Sequence, residues 1–429
     1  MTRKKIFSLL TALLLGCTLL SAQQYDVLDK VRADVRKSWG MEGPYRLEEM
    51  DVPSKPPKGY KPFYISHYGR HGSRYCWSAK TYSLLADVFT KAQKLDVLTP
   101  YGESFARKYL EFYEVPFINT GDLVPLGFQQ HIAIGEYVYK HFPQVFKGDR
   151  QVDALSSTAQ RCILSMSGFV QGLTAGNGRL QVRQDSNHAG MAIIAPPSAP
   201  GKFLRHFKGE TDPVALESVE DFTLRMGLVP EILEKLFTDS SFLEEFKGGS
   251  INFVNELWQF CSNYHNYETQ PLFDDLFSDD QRVKAWEISN YFSFYTDLRQ
   301  RYSTIPLLED IIGKADFALH NPAQAAHLRF GHDYIVEAFA TLINLNGCGT
   351  IPSRSDEAKY WFQSYNVSKA TTLLFVFYKN KKADVLFKVL WNGQEARLPQ
   401  LQAVEGPYYS WGDFVDWARD LMEAHPQVK

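Results

Sequence analysis

Strand and helix patterns alternate at both ends of the chain, whereas residues 212–300 carry helix patterns only. Short runs that read as strands occur at 63–68, 151–157 and 325–333, and each is followed by a segment with apolar residues at helical spacing. Such alternation is typical of an α/β fold, in which helices cover a sheet. The middle block lacks a strand pattern, so it is predicted to be a mainly helical insertion.

This pattern also defines the predicted domain organisation. We predict an α/β core built from residues 23–205 and 315–429, with residues 206–314 forming a helical cap. The other elements expected in the core are strands at 181–186, 191–197, 371–379 and 383–393 and a helix at about 410–424.

The first 22 residues have the pattern of a secretory signal peptide. Basic "MTRKK" is followed by apolar "IFSLLTALLLGCTLL" and by "SAQQ", with cleavage expected after Ala22. The apolar stretch is short for a membrane span, and no later segment is long and apolar enough to be one. We therefore expect export to the periplasm or the medium. The run "LLGC", which ends at Cys17, leaves a lipoprotein anchor as an alternative.

Four cysteines remain after the predicted cleavage, and their pairing stays open at this point. Export permits disulfide bonds. The spacing shows no CxxC framework of the kind that binds zinc. These cysteines are Cys76, Cys162, Cys261 and Cys348.

The charge balance is mildly acidic, with 46 lysines and arginines against 49 aspartates and glutamates. Removal of the signal peptide takes away Arg3, Lys4 and Lys5 and no acid, so the exported chain is more acidic still. Such a surface argues against nucleic acids as partners. Any anion bound by this protein must therefore be met by a local basic pocket.

Charged side chains cluster just after three of the predicted strands. Because ligand sites of open α/β sheets lie beyond the carboxyl ends of the strands, neighbouring strands would bring these groups together. The first strand is followed by Arg70, His71 and Arg74, the second by Arg161, and the third by His332 and Asp333.

This combination of groups suits the transfer of a phosphoryl group. Guanidinium groups bind phosphate oxygens and stabilise charge on the phosphoryl group. His71, kept neutral by cationic neighbours, can attack phosphorus and form a phosphohistidine. Asp333 can then protonate the leaving oxygen and later accept a proton from water. This scheme requires no metal and no cofactor.

Each motif taken alone has a simpler interpretation. "RHG" occurs in ordinary turns, "HD" before a helix is often an N-cap, and Arg161 could be a surface helix residue. His67 is expected to pack on its strand, and Glu337 is an alternative acid one turn beyond Asp333. The prediction depends on the joint occurrence of the motifs.

"RHGSR" followed far downstream by "GHD" resembles the histidine acid phosphatase and phytase branch of the histidine phosphatase superfamily. The segments "LVPLGFQQHIAIGEYV", "SSTAQRCILSMSGFVQGL" and "VLWNGQEARLP" resemble further family segments in the same order. The resemblance implies a phosphoglycerate-mutase-like three-layer α/β/α core with a mainly helical cap. It implies His71 as the phosphorylated nucleophile and Asp333 as the proton donor. The implied phosphate-binding residues are Arg70, Arg74, Arg161 and His332.

Two features depart from the family pattern. Tyr75 stands where "RHGxRxP" has a proline. "LRFGH" is also similar to the multiple inositol polyphosphate phosphatases, which continue with Ala-Glu where this chain has Asp333 and Tyr334. A polyphosphorylated inositol would need additional cations, and the loop "GKFLRHFKG" is either a source of them or a solvated surface loop. Its basic residues are Lys202, Arg205, His206 and Lys208.

The sequence thus favours an exported phosphomonoesterase that acts on phytate or other inositol polyphosphates. A broad-specificity or sugar-phosphate acid phosphatase is the nearest alternative. A phosphomutase and a non-catalytic protein that binds phosphate esters are further ones. The natural substrate and the oligomeric state are left open.

Overall fold

The computed structural model describes residues 27–208 and 216–428. The predicted signal peptide and Cys17 lie outside these residues. Within the described ranges, no helix combines the length and the apolar character needed to cross a membrane.

A nine-stranded mixed sheet forms the centre of the molecule, in the order β3-β2-β5-β1-β6-β7-β10-β9, with β8 paired to β7. Strands β1, β2, β3 and β5 run parallel, and β6 is antiparallel to β1. The strands are β1 Lys61–Arg70, β2 Gln151–Ser156, β3 Gln181–Ser186, β5 Gln324–Gly331, β6 Thr372–Lys379, β7 Val385–Trp391, β8 Gln394–Ala396, β9 Ala403–Glu405 and β10 Tyr408–Ser410. A separate two-stranded sheet pairs β4 His206–Phe207 with β11 Gln427–Val428.

Eleven of the described helices span eight residues or more. They are α1 Ala79–Leu95, α2 Pro100–Phe112, α3 Pro125–His141, α4 Gln160–Gly176, α5 Val219–Met226, α6 Leu228–Leu236, α7 Gly249–Asn263, α8 Asp279–Gln300, α9 Ile305–His320, α10 Asp333–Leu342 and α11 Trp411–Ala424. Shorter helical turns lie at Val35–Ser38, Glu114–Ile118, Met191–Ile194 and Ala358–Trp361.

Helices cover both faces of the sheet, which confirms the predicted α/β/α core. Along β1, Tyr64 and Tyr68 pack in the larger hydrophobic core with α9, α10 and α11. Ile65 points to the opposite face and packs with the apolar residues of α3 and α4. Because successive side chains of a strand point to opposite faces, a strand buried on both sides is apolar almost throughout.

Two predicted elements differ from the structure. The run at 191–197 is not a strand but the short helix Met191–Ile194 followed by a turn, since Pro196 and Pro197 cannot donate hydrogen bonds to a sheet. The first strand is longer than predicted and ends at Arg70, so this arginine belongs to the strand itself.

Helices α1 and α2 pack against the helices of the insertion. Thr99, which caps α2, donates hydrogen bonds from its backbone N–H and its hydroxyl to carbonyl oxygens at the end of α6. Phe89 of α1 contacts Phe253 of α7. The predicted boundary at residue 314 falls inside α9. The division into core and cap remains a prediction, and the structure adds α1 and α2 to the helices in contact with the cap.

All four described cysteines are buried free thiols. Cys76 Sγ donates to the side chain of Asn263 at 3.4 Å, and Cys162 Sγ lies 3.3 Å from the Gly331 carbonyl oxygen. None of the three disulfide arrangements that the sequence left open is present.

Candidate active site

The three strand ends that carry the charged motifs are neighbours in the sheet. Strand β5 lies between β1 and β2, and the register pairs Arg70 with Gly331 and Ser156 with Phe330. All three strands are parallel, so their carboxyl ends meet at one edge. The structure therefore brings together the six side chains predicted for the site.

Arg70 is fully buried and fixed by three acceptors. One of its terminal nitrogens donates to the carbonyl oxygens of Met41 and Val367 at 2.6 and 2.7 Å. The other donates to Asp333 Oδ2 at 2.5 Å. Burial alone would raise the pKa of Asp333, but Arg70 and the neighbouring cations hold it well below its usual range. Without ligand, Asp333 is thus a carboxylate whose side chain is 20% exposed.

His71 is held in one tautomer. Its Nδ1 lies 3.0 Å from the Gly72 carbonyl oxygen, which can only accept, so Nδ1 carries the hydrogen. Nε2 then keeps its lone pair, which accepts a hydrogen bond from Arg74 Nε at 3.4 Å. Burial and the charges of Arg74, Arg70 and Arg161 lower the pKa of His71 well below its usual value. The ring is therefore neutral, with Nε2 available as a nucleophile.

The turn after β1 requires glycine next to His71. A Cβ atom on Gly72 would lie 2.3 Å from the Gly127 carbonyl oxygen, because helix α3 approaches the backbone closely here. The Gly72 amide also donates to Ser165 Oγ of α4 at 3.0 Å. Contacts of Gly72 with α3 and α4 thus fix the backbone next to His71.

Arg161 and His332 complete the cluster. Arg161 is the second residue of α4, and its charge acts on His71 and His332, which places it at the site rather than on an outer helix face. His332 Nε2 lies 2.9 Å from Ser157 Oγ, and its ring centroid lies 5.9 Å from that of His71. Burial, followed by the charge of Arg161, lowers the pKa of His332 to about 4.

The family profile described as the histidine phosphatase superfamily (branch 2) matches residues 69–392, which include all six of these side chains. The chain belongs to this superfamily. It is therefore a phosphatase. No curated protein matches the sequence.

Solved structures agree with this histidine phosphatase in fold. The Bifidobacterium longum multiple inositol polyphosphate phosphatase, in complex with inositol hexasulfate, aligns with TM-score 0.70 and 16% identity over 89% of this chain and 97% of that one. The D. castellii phytase gives TM-score 0.64 and 15% identity over 91% and 86%. The Hafnia alvei phytase, in complex with myo-inositol hexakis sulphate, gives 0.54 and 13% over 85% and 98%.

The phosphatase site includes a buried ion pair that the sequence did not reveal. Lys369 is fully buried, and its Nζ donates to Glu42 Oε2 at 2.7 Å. Burial opposes ionisation of Glu42, yet Lys369 and the site arginines lower its pKa to about 2. The same carboxylate accepts from Asn263 Nδ2 at 2.8 Å, which connects the cap helix α7 to the site. Glu42 therefore joins the amino-terminal segment, the cap and the core at one point.

Glu42→Ala is expected to destabilise the phosphatase by about 3–5 kcal/mol, because it leaves the buried Lys369 Nζ and Asn263 Nδ2 without the carboxylate that accepts from both. Denaturant unfolding measures the change. The control is Glu231→Ala, which breaks a pair with Lys284 whose side chains are 39% and 33% exposed, and which should cost no more than about 1 kcal/mol. Equal losses of unfolding free energy in the two variants would contradict the larger contribution expected of the buried Glu42–Lys369 contact.

Tyr75, the departure from the family motif, contacts the cap. Its ring lies 4.5 Å from that of Tyr267, measured between centroids, and its carbonyl oxygen accepts from Arg74 at 2.8 Å. The Tyr267 hydroxyl in turn lies 3.2 Å from that of Tyr82. The aromatic ring therefore links the phosphate-site turn to the helices above it.

His67 is packed as expected, between Phe169 and Phe330, with centroid distances of 4.9 Å to each. Burial lowers its pKa well below the usual value. Its packing against two rings of the core agrees with the structural role expected from the sequence.

The basic loop lies apart from the cluster of six side chains. Arg205 forms an ion pair with Glu309 and lines a groove of about 980 Å³ along β2 and β3 that contains none of the six site residues. Lys202 and Lys208 are exposed, and His206 lies in the small two-stranded sheet. Their predicted role toward substrate stays a prediction.

Proposed function

We propose that this phosphatase hydrolyses phosphate monoesters through a phosphohistidine on His71. The neutral His71 ring, with Nδ1–H bonded to the Gly72 carbonyl and Nε2 facing the arginines, is the observation that carries the proposal. Nε2 attacks phosphorus, forming the N–P bond while the ester P–O bond breaks. Water then attacks the phosphohistidine, and inorganic phosphate leaves.

In this proposal the arginines hold the ester and His332 supports them. Arg70, Arg74 and Arg161 surround the nucleophile, and guanidinium groups suit the oxygens of a phosphoryl group. The Lys369–Glu42 pair adds no net charge, since burial and the arginines lower the pKa of Lys369 while Glu42 raises it, and Asp333 removes one positive charge. The cluster thus carries two net positive charges when both histidines are neutral. That charge matches a phosphomonoester dianion.

Asp333 is the proposed proton donor to the leaving oxygen and the base toward water. Its carboxylate is ionised in the unliganded site because cations surround it. A bound ester dianion would offset those cations and so raise the pKa of Asp333. The carboxyl group could then hold a proton and donate it to the leaving oxygen. Its partly exposed side chain leaves it accessible from the cleft.

We further propose an inositol polyphosphate as substrate and export as the destination. Support for the substrate comes from the similar folds named as a multiple inositol polyphosphate phosphatase and phytases, two of them with inositol hexasulfate bound. Support for export comes from the pattern of residues 1–22. Mass spectrometry of the native amino terminus tests the second point, since Ala22 cleavage and Cys17 lipidation give different masses.

A phosphate-release screen tests the substrate. The panel contains phytate, a sugar phosphate and an aryl phosphate, and we expect kcat/KM for phytate to exceed that for the sugar phosphate at least about tenfold. Equal rates across the panel would favour a broad-specificity phosphatase. Formation of an isomeric ester without inorganic phosphate would contradict hydrolysis.

A further inference from the structure

Two more carboxyl groups, those of Glu337 and Asp297, lie between Asp333 and the protein interior. Glu337 lies one turn along α10, and side chains four residues apart share a helix face. Asp297 of α8 faces Glu337 from the opposite side. Both are 2% exposed, so the three carboxyl groups form a row from the phosphate site to the core.

Glu337 and Asp297 have no cation of their own. Within the described residues, neither forms an ion pair with lysine, arginine or histidine, and no N–H or O–H group of another residue donates to Glu337 Oε1 or Asp297 Oδ2. The two carboxyl groups lie within hydrogen-bond reach of each other. Two carboxylates cannot both stay ionised in such surroundings, because burial and mutual repulsion disfavour the second charge. The pair therefore holds at least one proton near neutral pH.

The neighbouring charges support this state. Burial, followed by the charge of Asp333, raises the pKa of Glu337 to about 8, while Arg70 acts in the opposite direction. Burial and the charge of Glu337 raise the pKa of Asp297 as well. The other ionisable groups packed around the pair are Glu42 across the site, the Cys348 thiol beside Asp297, and Arg301, which donates to the Tyr302 hydroxyl and the Gly349 carbonyl.

We propose that Glu337 and Asp297 share one proton and act as a proton reserve for Asp333. The inference rests on the proposed phosphohistidine mechanism. When the ester binds, the proton passes from Glu337 to Asp333, and then to the leaving oxygen as the P–O bond breaks. The attacking water returns a proton to Asp333, which passes it back to the pair. Both are positioning residues, since neither touches substrate.

Glu337→Gln tests the reserve through the pH profile of kcat. The amide keeps the size of Glu337 but cannot pass a proton to Asp333, and burial still raises the pKa of Asp297 in the variant. We expect the alkaline limb to move about one pH unit toward acid, with kcat about tenfold lower near pH 7 and within about twofold of wild type near pH 5. Asp280→Asn, which removes an exposed carboxylate of the same helix α8, should leave the profile unchanged. A uniform loss at all pH values would overturn the proposal.

Infrared spectroscopy supplies a readout on the wild-type protein that does not depend on the variant's folding. A buried protonated Glu337 should give a C=O band near neutral pH that decreases as the pH rises through about 8, and Glu337→Gln should lack this decrease. Absence of this band from the wild type at neutral pH would overturn the shared proton.

His71→Ala separates the two levels of the hypothesis. If that variant retained activity, the phosphohistidine mechanism itself would fail. If it lost activity while Glu337→Gln kept the wild-type profile, only the proton reserve would be wrong.

Discussion

Replacing His71 with alanine is expected to lower kcat for phosphate release by about 10⁴-fold, the largest effect of any single change at this site. No other side chain offers a neutral ring nitrogen in the same place, because His332 directs its Nε2 to Ser157. Arg70 and Arg74 stay in position, so ester binding should weaken far less than turnover. Phosphate release at saturating ester measures the loss.

Trapping distinguishes a lost nucleophile from a damaged fold. Acid-labile label from a radioactive phosphate ester should appear on the wild-type chain after rapid quenching, and His71→Ala should carry none. His188→Ala, which removes an exposed histidine from a surface turn, should keep both label and activity. Normal labelling of the His71 variant would place the intermediate on another residue.

Asp333→Asn is expected to give the second largest effect, and its size should depend on the leaving group. Esters of alcohols such as inositol need a proton on the leaving oxygen, so kcat should fall about 10²–10⁴-fold. A nitrophenyl ester leaves as a stable anion and should lose about tenfold or less in the first step. Parallel kinetics on phytate and nitrophenyl phosphate measure the difference.

Asparagine is the appropriate replacement because it keeps the size of Asp333 and can still accept from Arg70. Thermal unfolding should therefore report a folded variant. An equal loss of kcat/KM, which reports the first step alone, on the two esters would indicate that the carboxylate positions Arg70 rather than moving a proton.

The sequence was sufficient to predict the six clustered side chains because each lies at or just after the end of a strand whose pattern is clear. Their convergence needed one fact that periodicity does not contain, the neighbouring positions of β2, β5 and β1. The roles still follow from chemistry, and the tautomer of His71 could be assigned only from the Gly72 carbonyl.

The buried pair was missed for a physical reason. Lys369 precedes β6, and the amino end of a strand is not where ligand groups are sought in a parallel sheet. Strand β6 is antiparallel to β1, so its beginning lies beside the end of β1. A lysine just before the apolar run "TTLLFVFYK" was the available signal. Glu42 lies in a segment without any regular pattern.

The pairing of β1 with β5 places Ile65 opposite Ala326, so the two halves of the site come from distant parts of the chain. During synthesis the arginines of the first motif leave the ribosome long before Asp333 does. Contacts between residues so far apart in sequence form slowly, because a long loop must close first. A nascent or truncated chain that ends before residue 333 would therefore be inactive. Antibodies to the amino-terminal half would detect such fragments, whereas enzyme assays would not.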